Sequence, residues 1–91
     1  YLTYEAIDWL HQSGLKHLIV DLPSIDRHDD GGELPNHHRF WGALGARATL
    51  TELAYIPDEV DDGLYLLNLQ LPHLLTDAVP SRPVLIPLLE R

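Results

Sequence analysis

The chain has 91 residues, 14 acidic against 6 basic for a formal charge of -8, and no cysteine. That length suits one small domain with a modest core and leaves no room for a second independent one, and the acidic balance disfavours nucleic acid and anionic membrane, since neither offers counter-charge. An apolar share of 45% with two tryptophans marks a folded chain, and the lack of cysteine excludes disulfide staples but leaves the redox compartment open, with a cytoplasmic setting as the expectation.

No apolar run approaches the ~20 residues of a membrane-spanning helix, and no secretion signal opens the chain at Tyr1. In chain order, Leu2 to Ser13 reads as a helix. Thr3 can cap its first turn, Ala6, Ile7 and Leu10 recur at helical spacing, and Gly14 supplies a left-handed residue to end it. His11 falls in the last turn, where the helix dipole favours its charged form, so a capping role competes with a ligand role. Leu15 to Val20 follows as a short buried strand, which packs Leu18 and Val20 against Ile7 and Leu10.

Past that strand the chain carries Asp21, Ser24, Asp26, His28, Asp29, Asp30 and Glu33 before reaching the adjacent His37 and His38. Polar groups gathered beyond the end of a buried strand are where α/β proteins commonly keep their chemistry. Asp21 and Asp26 read first as residues that fix a turn through side-chain to backbone hydrogen bonds. Ser24 lacks the Gly-x-Ser-x-Gly setting that exposes a nucleophile, which rejects a serine hydrolase. Asp26, Asp30 and Gly31 match part of a calcium loop, but His28 and His37 occupy positions where calcium needs oxygen, so that match is discarded.

Pro35 to Leu44 is either a short helix or an irregular loop, because proline suits a first helical turn while Gly42 and Gly45 cut it short. Phe40 and Trp41 read as buried. Ala48 to Tyr55 allows two readings. As a strand it puts Leu50, Glu52 and Ala54 on one face, and the carboxylate then demands a partner. As a helix it makes Thr49 and Glu52 a capping box. Pro57 to Asp62 reads as a helical turn closed by Gly63, Leu64 to Leu71 as a strand ended by Pro72, and Val84 to Leu89 as a last strand whose flanking Pro83 and Pro87 place it at an edge or bulge. His17 and His73 read as packing or surface residues. The whole is an α/β chain with a mixed β-sheet and flanking helices.

The run VDLPSID, a Gly-containing acidic loop, LPNHH, FWG and the later Glu52 together resemble the C-terminal half of the cyclase-family metal-dependent hydrolases, the family of kynurenine formamidase. The helix before the first strand and the PSRPVLIPL segment near the end look like that family too, so the resemblance spans nearly the whole chain. It implies part of a swivelling β/β/α fold, with residues 1–91 forming a single partial domain of a longer hydrolase. The family signature, a His-x-Gly-Thr-His-x-Asp cluster with a further histidine, belongs to an N-terminal half that is absent here.

The activity implied is metal-assisted hydrolysis of an amide or cyclic amide, with zinc or manganese as cofactor in the intact protein. By position in the motif the ligand role passes to His37 first, to His38 second, and to Glu52. The stretch Gly42 to Ala48 reads as an insertion relative to kynurenine formamidases. No catalytic residue is assigned in this chain, because the family's general base lies in the absent half, and the isolated chain is expected to be inactive. Its expected partners are a small-molecule substrate and either the missing half or further copies of itself, since half a domain leaves a sheet face and edge uncovered. The competing reading is a non-catalytic assembly or remnant domain that keeps the fold without metal.

Overall fold

The computed structural model describes residues 1–44 and 47–89. Gly45, and with it the middle of the Gly42 to Ala48 stretch, lies outside the described residues. The chain forms two compact units, Tyr1–Tyr55 and Ile56–Arg91, a division that length and composition do not reveal.

The first unit opens with helix α1, Tyr4–Gln12. Thr3 stands at its start with an extended backbone, and its hydroxyl accepts the Ala6 N–H at 3.1 Å, which satisfies one of the donors a helix leaves orphaned. Gly14 ends it at φ +80°, a conformation other residues adopt only under strain. Strand β1, His17–Ile19, then pairs in parallel with β2, Thr49–Thr51, with Leu18 opposite Leu50. Parallel partners need a long crossover. Here it carries the polar loop and helix α2, Pro35–Leu44.

The core sits between these elements. Ile7, Ile25 and Phe40 are fully buried, Ala48 nearly so, and Leu2, Leu15, Leu18, Val20 and Leu50 pack around them. Leu10, expected among them, is half-buried outside this cluster. Burial of three large side chains contributes on the order of 1.5–3 kcal/mol apiece. An exposed fork joins α1 to α2, with Arg39 donating to both carboxylate oxygens of Asp8 at 2.9 and 2.7 Å.

Several expectations are corrected. Trp41 is 41% exposed, not buried, because its indole N–H reaches out to donate to the Ala48 carbonyl at 3.0 Å. The strand reading of Ala48 to Tyr55 holds only for Thr49–Thr51, since Leu53 turns the chain at φ +58°, and the Thr49–Glu52 capping box does not form because Thr49 belongs to β2. Parallel pairing with β1 outweighs local helix signals there, as tertiary context does for short segments.

In the second unit, Pro57 to Asp62 gives only a turn, with the Val60 N–H donating to Pro57 at 3.0 Å. Strands β3, Tyr65–Asn68, and β4, Val84–Pro87, pair antiparallel and are shorter than the sequence pattern indicates. The strands among the described residues thus form two separate pairs, one parallel and one antiparallel, in place of one mixed sheet. Leu64, Leu66, Leu71, Leu75 and Leu89 are exposed. No helix among the described residues is long and apolar enough to cross a membrane.

Candidate functional site

The loop that follows β1 has to turn sharply to deliver the chain to Pro35. Asp30 organises the turn: its carboxylate accepts the Gly32 N–H at 2.7 Å and the Leu34 N–H at 3.2 Å. Gly31 and Gly32 adopt positive φ, and Leu34 follows at φ +50°, a conformation costly for a leucine. Leu34 has no polar side chain, so the residue before Pro35 cannot cap α2.

Asp26 performs that task from ten positions upstream. Its Oδ1 accepts the Asn36 N–H at 2.6 Å and its Oδ2 the His37 N–H at 3.1 Å. Both donors belong to the first turn of α2, where the helix dipole favours a negative charge. The same Oδ2 lies 2.6 Å from His37 Nδ1, and the Asp26 side chain is 1% exposed. Burial alone raises the pKa of this carboxyl, but the hydrogen bonds from the His37 ring and from the Asn36 and His37 backbone outweigh it and hold the group below its ordinary value.

Asn36 braces the neighbourhood. Its side-chain amide donates to the carbonyls of Leu2 and Ile25, each at 2.6 Å, and links the chain ahead of α1 to the segment that carries Asp26. Its Oδ1 is buried with no partner among the described residues.

The other nitrogen of His37 faces Glu52. Nε2 lies 3.1 Å from Glu52 Oε1, and that same oxygen accepts the Ile25 N–H at 2.9 Å. Glu52 sits just past the end of β2, and the strand places it on the face of Leu50, toward the core side of the unit. The carboxylate demanded a partner, and its partners are His37 and the Ile25 backbone. His37 is thus held between two carboxylates, its side chain 17% exposed and that of Glu52 24% exposed. The Trp41 ring flanks it at 5.8 Å between centroids.

A neutral imidazole has one N–H and can donate to only one of two flanking carboxylates. The contact at the second nitrogen requires another proton or a metal cation. With metal bonds of about 2.0–2.2 Å, two ligand atoms on one ion lie roughly 2.9–3.5 Å apart, and the Nε2 to Oε1 distance of 3.1 Å fits that range. A carboxylate on the far nitrogen of a ligating histidine is the usual means of fixing its tautomer and ring orientation, and Asp26 stands in that position. His37 and Glu52 therefore suit a divalent ion as two of its ligands. Among the described residues no group of three His, Asp or Glu side chains is arranged to hold a metal.

The structure brings His37 and Glu52 together and leaves His38 out, exposed one position further round α2. His11, His28 and His73 are exposed, and His17 Nδ1 contacts the Thr49 hydroxyl at 2.7 Å. Asp21 is exposed as well. Asp26 does bond backbone N–H groups, as the sequence indicates, but those of the first turn of α2, and it also holds the His37 ring, which the sequence does not reveal. The available signal was Leu34, a non-capping residue ahead of a helix that opens with proline. An open cleft of about 370 Å³ lined by Tyr1, Leu2, Tyr4, Arg27, Asp30 and Asn36 adjoins Asp26 and includes neither His37 nor Glu52. No known protein family, curated protein or solved structure matches the chain.

Proposed function

We propose that this chain is the C-terminal part of a cyclase-family metal-dependent hydrolase, with the swivelling β/β/α fold of that family, acting in the intact protein on an amide or cyclic amide. The observation that carries the reading is the 3.1 Å approach of His37 Nε2 to Glu52 Oε1, with the opposite ring nitrogen on the buried Asp26 carboxylate. His37 and Glu52 are the residues that would hold zinc or manganese. When bound, such an ion supplies Lewis acidity, which activates water and polarises the carbonyl under attack.

The residues of this chain then have defined tasks. Asp26 fixes which face of the His37 ring system is presented, by holding Nδ1 and both first-turn amides of α2. The Ile25 N–H holds the Glu52 carboxylate in place. Trp41 covers one side of His37. Two ligands leave an ion open to further ones, and the missing N-terminal half supplies those and the general base in this reading. The absence of cysteine suits a reducing, cytoplasmic setting.

The test is a zinc titration of the 91-residue chain followed by NMR of the histidine ring nitrogens. His37 Nε2 is expected to shift first, and the shift to vanish in Glu52→Ala and persist in His38→Ala. A first response at His38, or none at His37, removes the reading.

A second reading, an assembly module that binds no metal, draws on the exposed leucines of the second unit. It predicts a chain that associates while its histidine resonances ignore zinc.

A further inference from the structure

We infer that the outer edge of β3 pairs with the same edge of a second copy of this chain, in antiparallel register about a two-fold axis at Leu67. The inference stands apart from the metal reading and rests on the hairpin itself.

In the β3–β4 ladder Tyr65 lies opposite Pro87. Proline has no N–H, so this pair belongs to the class in which neither N–H bridges the two strands. The classes alternate along an antiparallel ladder. Leu67 with Leu85 is therefore of the same class, while Leu66 with Ile86 and Asn68 with Val84 are the bridged pairs. The backbone groups of Tyr65 and Leu67 point away from β4.

The two outer edges of the hairpin differ. On β4 the outward positions are Pro83, Leu85 and Pro87, and two of these three carry no donor. Prolines spaced this way close an edge against a further strand. On β3 the outward positions are Tyr65 and Leu67, continued by Leu69, and all carry a donor. Among the described residues no backbone hydrogen bond outside the hairpin ends on Tyr65 or Leu67.

The open edge is complementary to itself. Leu64 to Gln70 holds neither charge nor proline and is centred on Leu67. A two-fold there sets Leu67 against its own copy and Tyr65 against Leu69 of the second copy, so each outward donor meets an acceptor. The same register puts Asp62 opposite Pro72 and Asp61 opposite His73, so no two like charges meet. A lone two-stranded hairpin is marginal in water. Joining two through β3 gives a four-stranded sheet whose outer edges are the proline-closed β4 strands.

The test uses sedimentation velocity on the full chain across a range of concentrations. The wild type is expected to run as a dimer. Because residue 67 faces itself, Leu67→Lys and Leu67→Glu are each expected to run at half that mass, and their equimolar mixture to recover the dimer through opposite charges. Leu67→Thr, uncharged and suited to strands, is expected to stay dimeric, and so is Leu85→Lys on the closed edge. A monomeric wild type, charged variants that remain dimeric alone, or a mixture that stays monomeric overturns the inference.

Discussion

His37 Nε2 and Glu52 Oε1 lie 3.1 Å apart, although one residue rides on α2 and the other follows β2. The single oxygen of Glu52 that faces His37 also accepts the Ile25 N–H. The contact therefore ties together three stretches of chain: the end of the polar loop's first strand-proximal part, the helix and the second strand. Removing it affects both stability and any ligand it serves.

Glu52→Ala leaves the Ile25 N–H without its acceptor in a partly buried position. The expected cost is about 1–3 kcal/mol, read from the urea midpoint of the metal-free chain. In the same variant the zinc response of His37 is expected to be lost.

Asp26→Ala has a larger effect, because it uncaps two α2 amides and releases the His37 ring together. Loss of a cap and exposure of unpaired buried donors sum to about 2–4 kcal/mol. In whatever fraction remains folded, zinc affinity is expected to drop about ten- to a hundred-fold, the usual consequence of losing the carboxylate behind a ligating histidine. Chemical denaturation and calorimetric titration read the two effects separately.

The acid limb of stability follows from the same carboxyl. Asp26 titrates below its ordinary value in the folded chain. A depressed carboxyl adds stability that is fully present above the unfolded value of about 3.9 and is lost as pH falls through the lower, folded value. Urea midpoints of the metal-free chain are expected to decline below about pH 4, and Asp26→Asn to decline less steeply over that window. An equal slope in both proteins contradicts the assignment.

Trp41 offers an optical check, since its ring lies 5.8 Å from that of His37. With Trp9→Phe, the remaining indole emission comes from Trp41 alone. Copper or cobalt bound at His37 and Glu52 is expected to quench most of it, and His37→Ala to abolish the quenching while His38→Ala retains it. Steady-state fluorescence titration measures this directly.

Much of the local structure was legible in the residues. The Thr3 cap, the Gly14 stop and the β-branched run before Asp21 are written in local chemistry that acts over a few positions, and here the tertiary structure agrees with it. The charge, the absence of cysteine and the pairing of imidazole with carboxylate as candidate ligands are likewise properties of composition and spacing.

Other features depended on groups far apart in the chain. Glu52 had equal claims as a strand residue and as a helix cap, and the parallel pairing of Thr49–Thr51 with His17–Ile19 decided between them. His37 and His38 are adjacent and differ only in their place in the motif, and it is the packing of the Phe40 face of α2 against Ile7 and Ile25 that sets one toward Glu52 and the other into solvent. Asp26 became the cap of a helix ten residues away because the loop closed on itself, an event of chain geometry that no local propensity encodes. The sequence alone determined which chemical groups are present and which short elements form. The tertiary structure decided which groups meet, because a contact across 15 residues from His37 to Glu52 exists only once the core has fixed both backbones.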